Sequence, residues 1–156
     1  PFIGYLPQDV ELFEGTISEN IARFGAIDPE KVVAAALKAD VHEFILRLPE
    51  GYDTIISGTG GVLSGGQRQR IGLARAVYGD VRLIVLDEPN SNLDDQGELA
   101  LSQTLLRLKS EAITVLIISH RPSILKVVDK VALMKEGVLI DFGSTVEVLS
   151  KLQPKK

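Results

Sequence analysis

Leu63-Ser64-Gly65-Gly66-Gln67 precedes a run with helical periodicity. Two glycines let a backbone approach a ligand closely, and the first-turn N–H groups of a helix point outward without intrahelical partners. With the positive end of the helix dipole, Ser64, Gly65, Gly66 and Gln67 make an anion site suited to a phosphate, and Ser64 adds a hydroxyl donor. The same residues also read as an ordinary capped helix start.

Leu83-Ile84-Val85-Leu86-Asp87-Glu88-Pro89 is an aliphatic run closed by two carboxylates. Ligand sites lie outside the carboxyl ends of buried parallel strands. At such an end Asp87 can hold Mg²⁺, usually through waters, and Glu88 can polarise an attacking water as general base. The plain alternative is a strand end with solvated charges. His120 follows a second aliphatic run, Ile113 to Ser119, and belongs on the same sheet edge, where an imidazole can contact a terminal phosphate. Gln8 follows the first strand-like run and is ordinary taken alone. Ser91 to Asp94 can be a simple N-cap. His42 reads as a surface residue on the polar face of a helix. With 0 Cys, disulfides and Cys nucleophiles are excluded, and 2 His argue against a protein-only transition-metal site. No spacing suggests a Ser-His-Asp arrangement.

The elements that must position these groups are legible in outline. Phe2 to Leu6 predicts a strand, and Thr16 to Phe24 a short helix. Asp28-Pro29 starts a helix running to about Lys38. Asp40 with Glu43 predicts another capped start, its apolar stripe being Val41, Phe44, Ile45 and Leu48. Tyr52 to Val62 predicts a loop. Ser64 with Gln67 opens a buried helix to about Tyr78. Arg82 to Leu86 and Ile113 to Ser119 predict parallel strands buried on both faces. Helices are expected over Asp95 to Lys109 and Pro122 to Val128. Glu136-Gly137 predicts a two-residue hairpin turn between Val131–Lys135 and Val138–Phe142. Ser144 with Glu147 caps a last helix. Residues 9–80 are helical and loop-rich, whereas 1–8 and 81–156 alternate strand and helix. This texture fits a helical lobe inserted into an α/β sheet.

The chain has 156 residues, 45% of them hydrophobic, enough to bury a core and to exclude disorder. Its 17 Lys and Arg against 21 Asp and Glu leave a net charge of -4, which argues against nucleic acid as main partner but not against a nucleotide. No apolar run reaches the ~20 residues of a membrane-spanning helix. The first residues have neither the basic start nor the apolar core of a signal peptide.

In this order the motifs resemble those of the ATP-binding cassette (ABC) ATPase family. Gln8 matches the Q-loop, Leu63 to Gln67 the signature motif and Leu83 to Glu88 the Walker B strand with its catalytic Glu. Ser91 to Asp94 matches the D-loop and His120 the switch histidine. Leu12 to Ile21 and Leu46 to Thr54 are similar to segments of ABC exporters. Asp87-Glu88-Pro89-Asn90-Ser91-Asn92-Leu93-Asp94 most resembles the type I protein secretion ATPases of the bacterial inner membrane; many other exporters carry Thr where Asn90 stands.

The resemblance implies an α/β fold, a partial P-loop NTPase with a mostly parallel sheet flanked by helices and an inserted helical signature lobe. It implies ATP and Mg²⁺ as ligands, with Asp87 and Gln8 toward the metal, Glu88 as base and His120 on the γ-phosphate. It implies that Ser64, Gly65, Gly66 and Gln67 meet the nucleotide of a second subunit in a head-to-tail dimer, and that Asp94 crosses that interface. A transmembrane domain, at the cytoplasmic face of the inner membrane, is the other partner implied. Two departures stand out. There is no Gly-Lys pair, hence no P-loop, so the chain reads as the C-terminal part of a nucleotide-binding domain, expected to bind ATP weakly and hydrolyse it negligibly by itself. Without the P-loop strand, unpaired apolar strand edges are expected to promote self-association. Ser57-Gly58-Thr59-Gly60 also lacks the acidic residue common in exporters.

Two other readings compete. A non-transport ABC ATPase acting on DNA would need a coiled coil between Gln8 and Leu63, where Pro29, Pro49 and several glycines interrupt the chain. A non-catalytic dimerisation module would not need Glu88 and His120.

Overall fold

Aliphatic and β-branched runs form the strands β1 (Ile3–Leu6), β2 (Gly15–Thr16), β3 (Ile55–Ile56), β4 (Leu83–Asp87), β5 (Thr114–Ile118), β6 (Lys130–Lys135) and β7 (Val138–Ser144). The helices are α1 (Ile17–Ile21), α2 (Pro29–Lys38), α3 (His42–Leu46), α4 (Gly65–Val77), α5 (Asp95–Ser110) and α6 (Thr145–Leu152), with 3-10 turns at Gly51–Asp53 and Pro122–Lys126. This computed structural model describes residues 2–57, 63–91 and 93–152. Gly58, Thr59, Gly60 and Asn92 lie outside the described residues. The chain divides into two compact units, residues 1–120 and 121–156.

In the first unit β1, β4 and β5 form a parallel sheet in the order β1-β4-β5. Register aligns Leu6 with Leu86 and Leu86 with Ile117. Gly4, Leu6, Ile84 and Leu86 face the helices and are buried. The opposite face carries Ile3, Tyr5, Leu116 and Ile118, each at least half exposed. The expectation of strands buried on both faces is therefore corrected. Helices α4 and α5 cover one face, and no described element of this unit covers the other. An exposed apolar sheet face with open strand edges favours association. The isolated chain is expected to self-associate in light scattering, and a clean monomer at all concentrations would refute this.

Local chemistry explains most helix starts. Thr16 and Glu19 form a capping box on α1, and Ser64 and Gln67 form one on α4. Asp28 caps α2 by accepting from Lys31 N–H, with Pro29 in the first turn. The expected Asp40 cap is not formed. Asp40 adopts a left-handed φ of 53°, and Val41 takes the N-cap position of α3 without a side-chain bond. At the other end of α4 the Arg23 guanidinium donates to the carbonyls of Arg75, Ala76 and Tyr78, satisfying the end of the helix. Partial burial lowers the Arg23 pKa.

His42 is not the plain surface residue expected. It is half-buried, its Nδ1 lies 2.8 Å from the Tyr52 hydroxyl, and the two rings are 5.9 Å apart. Burial pushes the Tyr52 phenol up to about 12. The unfolded chain releases this proton near ~10, so between the two values the unfolded state holds fewer protons than the folded one. The contribution is intact below that window and is lost as pH rises through it. Tyr52→Phe should flatten the alkaline fall in urea midpoints; equal slopes in both proteins would refute the assignment.

The second unit is a β6-β7 hairpin followed by α6. Its turn residues Glu136 and Gly137 both take positive φ, 50° and 78°, as a two-residue turn of this hand requires. Glu147 accepts from the Ser144 N–H and hydroxyl at the start of α6, as the capping pattern predicts. The segment expected as a helix over Pro122 to Val128 is a 3-10 turn.

Candidate functional site

Parallel pairing puts the carboxyl ends of β1, β4 and β5 side by side. Asp87 ends β4 opposite Ile118, which ends β5. Glu88 follows Asp87, His120 lies two residues past Ile118, and Gln8 lies two residues past Leu6. Three separated stretches of sequence thus deliver Gln8, Asp87, Glu88 and His120 to one edge.

Glu88 and His120 are in direct contact: His120 Nδ1 lies 2.7 Å from Glu88 Oε1. Their exposures differ sharply, 15% for the Glu88 side chain and 80% for His120. The second carboxylate oxygen, Glu88 Oε2, is buried and has no partner among the described residues. A sheltered carboxylate with one anchored and one free oxygen can accept a proton. The backbone is constrained as well. Glu88 has a φ of 46°, its N–H donates to Ile118 O at 2.8 Å, and its carbonyl accepts from Ser91 N–H at 3.1 Å. Gln8 is exposed, and among the described residues its side chain makes no hydrogen bond to the other three.

Asp87 is half-buried at its strand end. Among the described residues no group of three or more His, Asp or Glu could hold a metal ion. Asp87 can offer a cation a carboxylate ligand, which suits Mg²⁺ shared with phosphate oxygens and water. Asp87 at the strand end fits Mg²⁺ carried by a nucleotide, and the first-turn N–H groups at the separate start of α4 fit a phosphate.

The helix start is separate from this cluster. The Ser64 Oγ accepts from Gln67 N–H at 3.2 Å, and Gln67 Oε1 accepts from Ser64 N–H at 2.8 Å. The Ser64 hydroxyl proton stays available on an exposed side chain. Gly65 and Gly66 supply first-turn N–H groups without intrahelical acceptors. Among the described residues no hydrogen bond joins Ser64 or Gln67 to Asp87, Glu88 or His120. Asp94 is the N-cap of α5, accepting from Gly97 N–H at 2.8 Å.

Two further residues belong to this region: Gln69, which no motif singles out, and Asn90, noted in the sequence only for its resemblance to secretion ATPases. Gln69 is 3% exposed, and its Nε2 donates to Pro89 O. Asn90 is 0% exposed, and its Oδ1 accepts from Ser119 Oγ at 3.3 Å. The available signal was a polar side chain at the helical spacing of Leu73 and Ala76, a core-facing stripe.

Known proteins share this arrangement of sequence and fold. A family model described as "ABC transporter" matches residues 2–91. The chain is 54% identical over 156 residues to "Type I secretion system ATP-binding protein PrsD" of Rhizobium meliloti, covering 99% of this chain and 27% of that protein. It is 43% identical over 151 residues to "ATP-dependent lipid A-core flippase" of Chromohalobacter salexigens, covering 96% of this chain and 26% of that one. A solved structure, a bacterial Atm1-family ABC exporter with ATP bound, superposes with a TM-score of 0.85 at 35% identity, over 98% of this chain and 27% of the other. The chain thus spans about a quarter of the length of the relatives it matches. Since the family match runs from β1 through the Asp87-Glu88 turn and the fold agrees over nearly every residue, the chain belongs to the ABC transporter family.

Proposed function

We propose that this chain is part of the ATP-binding and ATP-hydrolysing domain of an ABC exporter, coupling hydrolysis to export of a substrate. The observation that carries the reading is the Glu88–His120 pair beside Asp87 at the ends of parallel strands. Residues 9–80 would be the helical lobe, and residues 1–8 with 81–156 the catalytic lobe. When bound, Mg²⁺ with ATP supplies charge neutralisation on the phosphates, and Asp87 holds the cation. Glu88 orients and polarises the attacking water, and His120 holds its carboxylate at Oε1. His120, mostly exposed, reaches toward the γ-phosphate, and Gln8 reports on metal and water to a transmembrane domain. Ser64, Gly65, Gly66 and Gln67 receive the γ-phosphate held by a second copy, whose interface Asp94 crosses. Catalysis of this kind is mostly positioning and charge stabilisation.

Export of a protein is the substrate reading. It is supported by the Asp87 to Asp94 segment and by similarity to the secretion protein PrsD. It places the intact protein at the bacterial inner membrane, facing the cytoplasm. Similarity to a lipid A-core flippase supports a lipid substrate as the second reading. No described helix is long and apolar enough to cross a membrane, so the partner domain would supply the spans.

The test is ATP turnover by the intact protein against Mg²⁺ concentration. Asp87→Asn should raise the Mg²⁺ needed for half-maximal rate by roughly tenfold, the worth of about one charge-assisted contact. An unshifted curve would remove Asp87 from the metal.

A further inference from the structure

We infer that Gln69 is a positioning residue for Glu88, acting with Asn90 and Ser119 as a buried clamp on the turn that carries the carboxylate. The inference rests on the ATPase reading above and concerns how its base is held.

Glu88 occupies a conformation that its own chemistry disfavours. A φ of 46° is unusual for a residue with a Cβ, and Pro89 directly after it further restricts the backbone. Such a conformation persists only when its surroundings over-determine it. The surroundings are specific here. The peptide carbonyl of Pro89, one residue beyond Glu88, accepts from the buried amide of Gln69 on α4. Asn90, two residues beyond, is fully buried and accepts from Ser119 Oγ. Ser119 immediately precedes His120, which meets Glu88 Oε1. One tie therefore holds the turn to α4, and the other holds it to the strand end that carries the histidine.

Both amides are only half used: Gln69 Oε1 and Asn90 Nδ2 have no partner among the described residues. A buried amide with one end unsatisfied is costly, and in each the engaged end is the one that ties the turn carrying Glu88. Gln69 also stands two turns or less from Ser64 on one continuous helix, α4. A rigid helix with a phosphate-receiving start and a hydrogen bond to Pro89 transmits displacement at Ser64 to the backbone of Glu88. Without the Gln69 donor, the turn relaxes toward extended backbone and Glu88 leaves His120.

The experiment is steady-state and single-turnover ATP hydrolysis by the intact protein. Gln69→Met keeps length and burial but removes the donor. It should lower kcat by about tenfold or more, with KM for ATP within about twofold, the signature of an interaction used only in the transition state. In a Glu88→Gln background the same change should add less than about twofold, because it acts through the group already disabled. Independent losses that multiply would overturn the inference, as would an unchanged kcat. If Gln69→Met does not fold, Ser119→Ala removes the second tie by one oxygen and should lower kcat about threefold at constant KM; an unchanged kcat there also overturns it. Loss of turnover in Glu88→Gln but not in Gln69→Met refutes the clamp and leaves the ATPase reading standing. Full turnover in both refutes the two together.

Discussion

Glu88→Gln in the intact protein is expected to lower ATP turnover by at least ~100-fold while leaving ATP affinity within about threefold, since general-base catalysis contributes ~10²–10⁴-fold. The substitution is nearly isosteric. Glutamine keeps an oxygen or an amide within reach of His120 Nδ1, so the 2.7 Å contact has a neutral replacement. The N–H bond to Ile118 O and the carbonyl bond from Ser91 belong to the backbone and are untouched. What disappears is the negative charge of the carboxylate and with it a base for the attacking water. Binding and folding should therefore survive while the chemical step fails. Nucleotide should accumulate unhydrolysed, and the dimer should stay closed in cross-linking or light scattering. Unchanged turnover would remove Glu88 from the base role. A parallel loss of ATP binding would instead make its contribution one of ground-state binding.

How much of this was legible in the sequence depends on how local the deciding chemistry is. Ser64 with Gln67, Asp28 with Pro29, Ser144 with Glu147 and Glu136-Gly137 form caps and a turn within four residues, and each forms as the pattern predicts. The convergence of Asp87, Glu88 and His120 was legible because parallel strands deliver their ends to one edge. Burial on both faces was not. The run Leu83-Ile84-Val85-Leu86 records what a strand is suited to face, whereas actual cover depends on which other elements are there. Asp40 looked like a cap because its type and its spacing to Glu43 fit one. A left-handed backbone at Asp40 instead passes the cap position to Val41. The buried roles of Gln69 and of Asn90, the latter noted only by its type, were invisible for a different reason. A buried amide is spelled like an exposed one, and only the packed partner reveals it.

The same limit applies to Gly4, where the largest effect on stability is expected. Glycine inside a strand is normally a weakness, and replacing it with alanine would gain about 0.5–1 kcal/mol if space allowed. At Gly4 it does not. The residue lies on the covered face of β1, and a Cβ built there would run into the backbone carbonyl of Ala76 near the end of α4. The obstacle is main chain in a helix whose end is fixed by Arg23 on the carbonyls of Arg75, Ala76 and Tyr78. It cannot rotate away. The helix must lift from the sheet, opening the contact with Leu6, Ile71 and Leu73, all buried. Gly4→Ala should therefore cost about 3–5 kcal/mol, at the far end of single-substitution effects. Gly72 supplies the control. A Cβ there would press on Val10 Cγ1 and Leu6 Cδ1, the ends of movable side chains, at 2.6 and 3.0 Å. Overpacking of that kind costs about 1–3 kcal/mol, partly offset by the helix preference for alanine over glycine. Urea unfolding followed by circular dichroism should rank Gly4→Ala well below Gly72→Ala. Equal midpoints would mean that α4 can shift on the sheet, and that its grip on the Pro89 carbonyl is correspondingly loose.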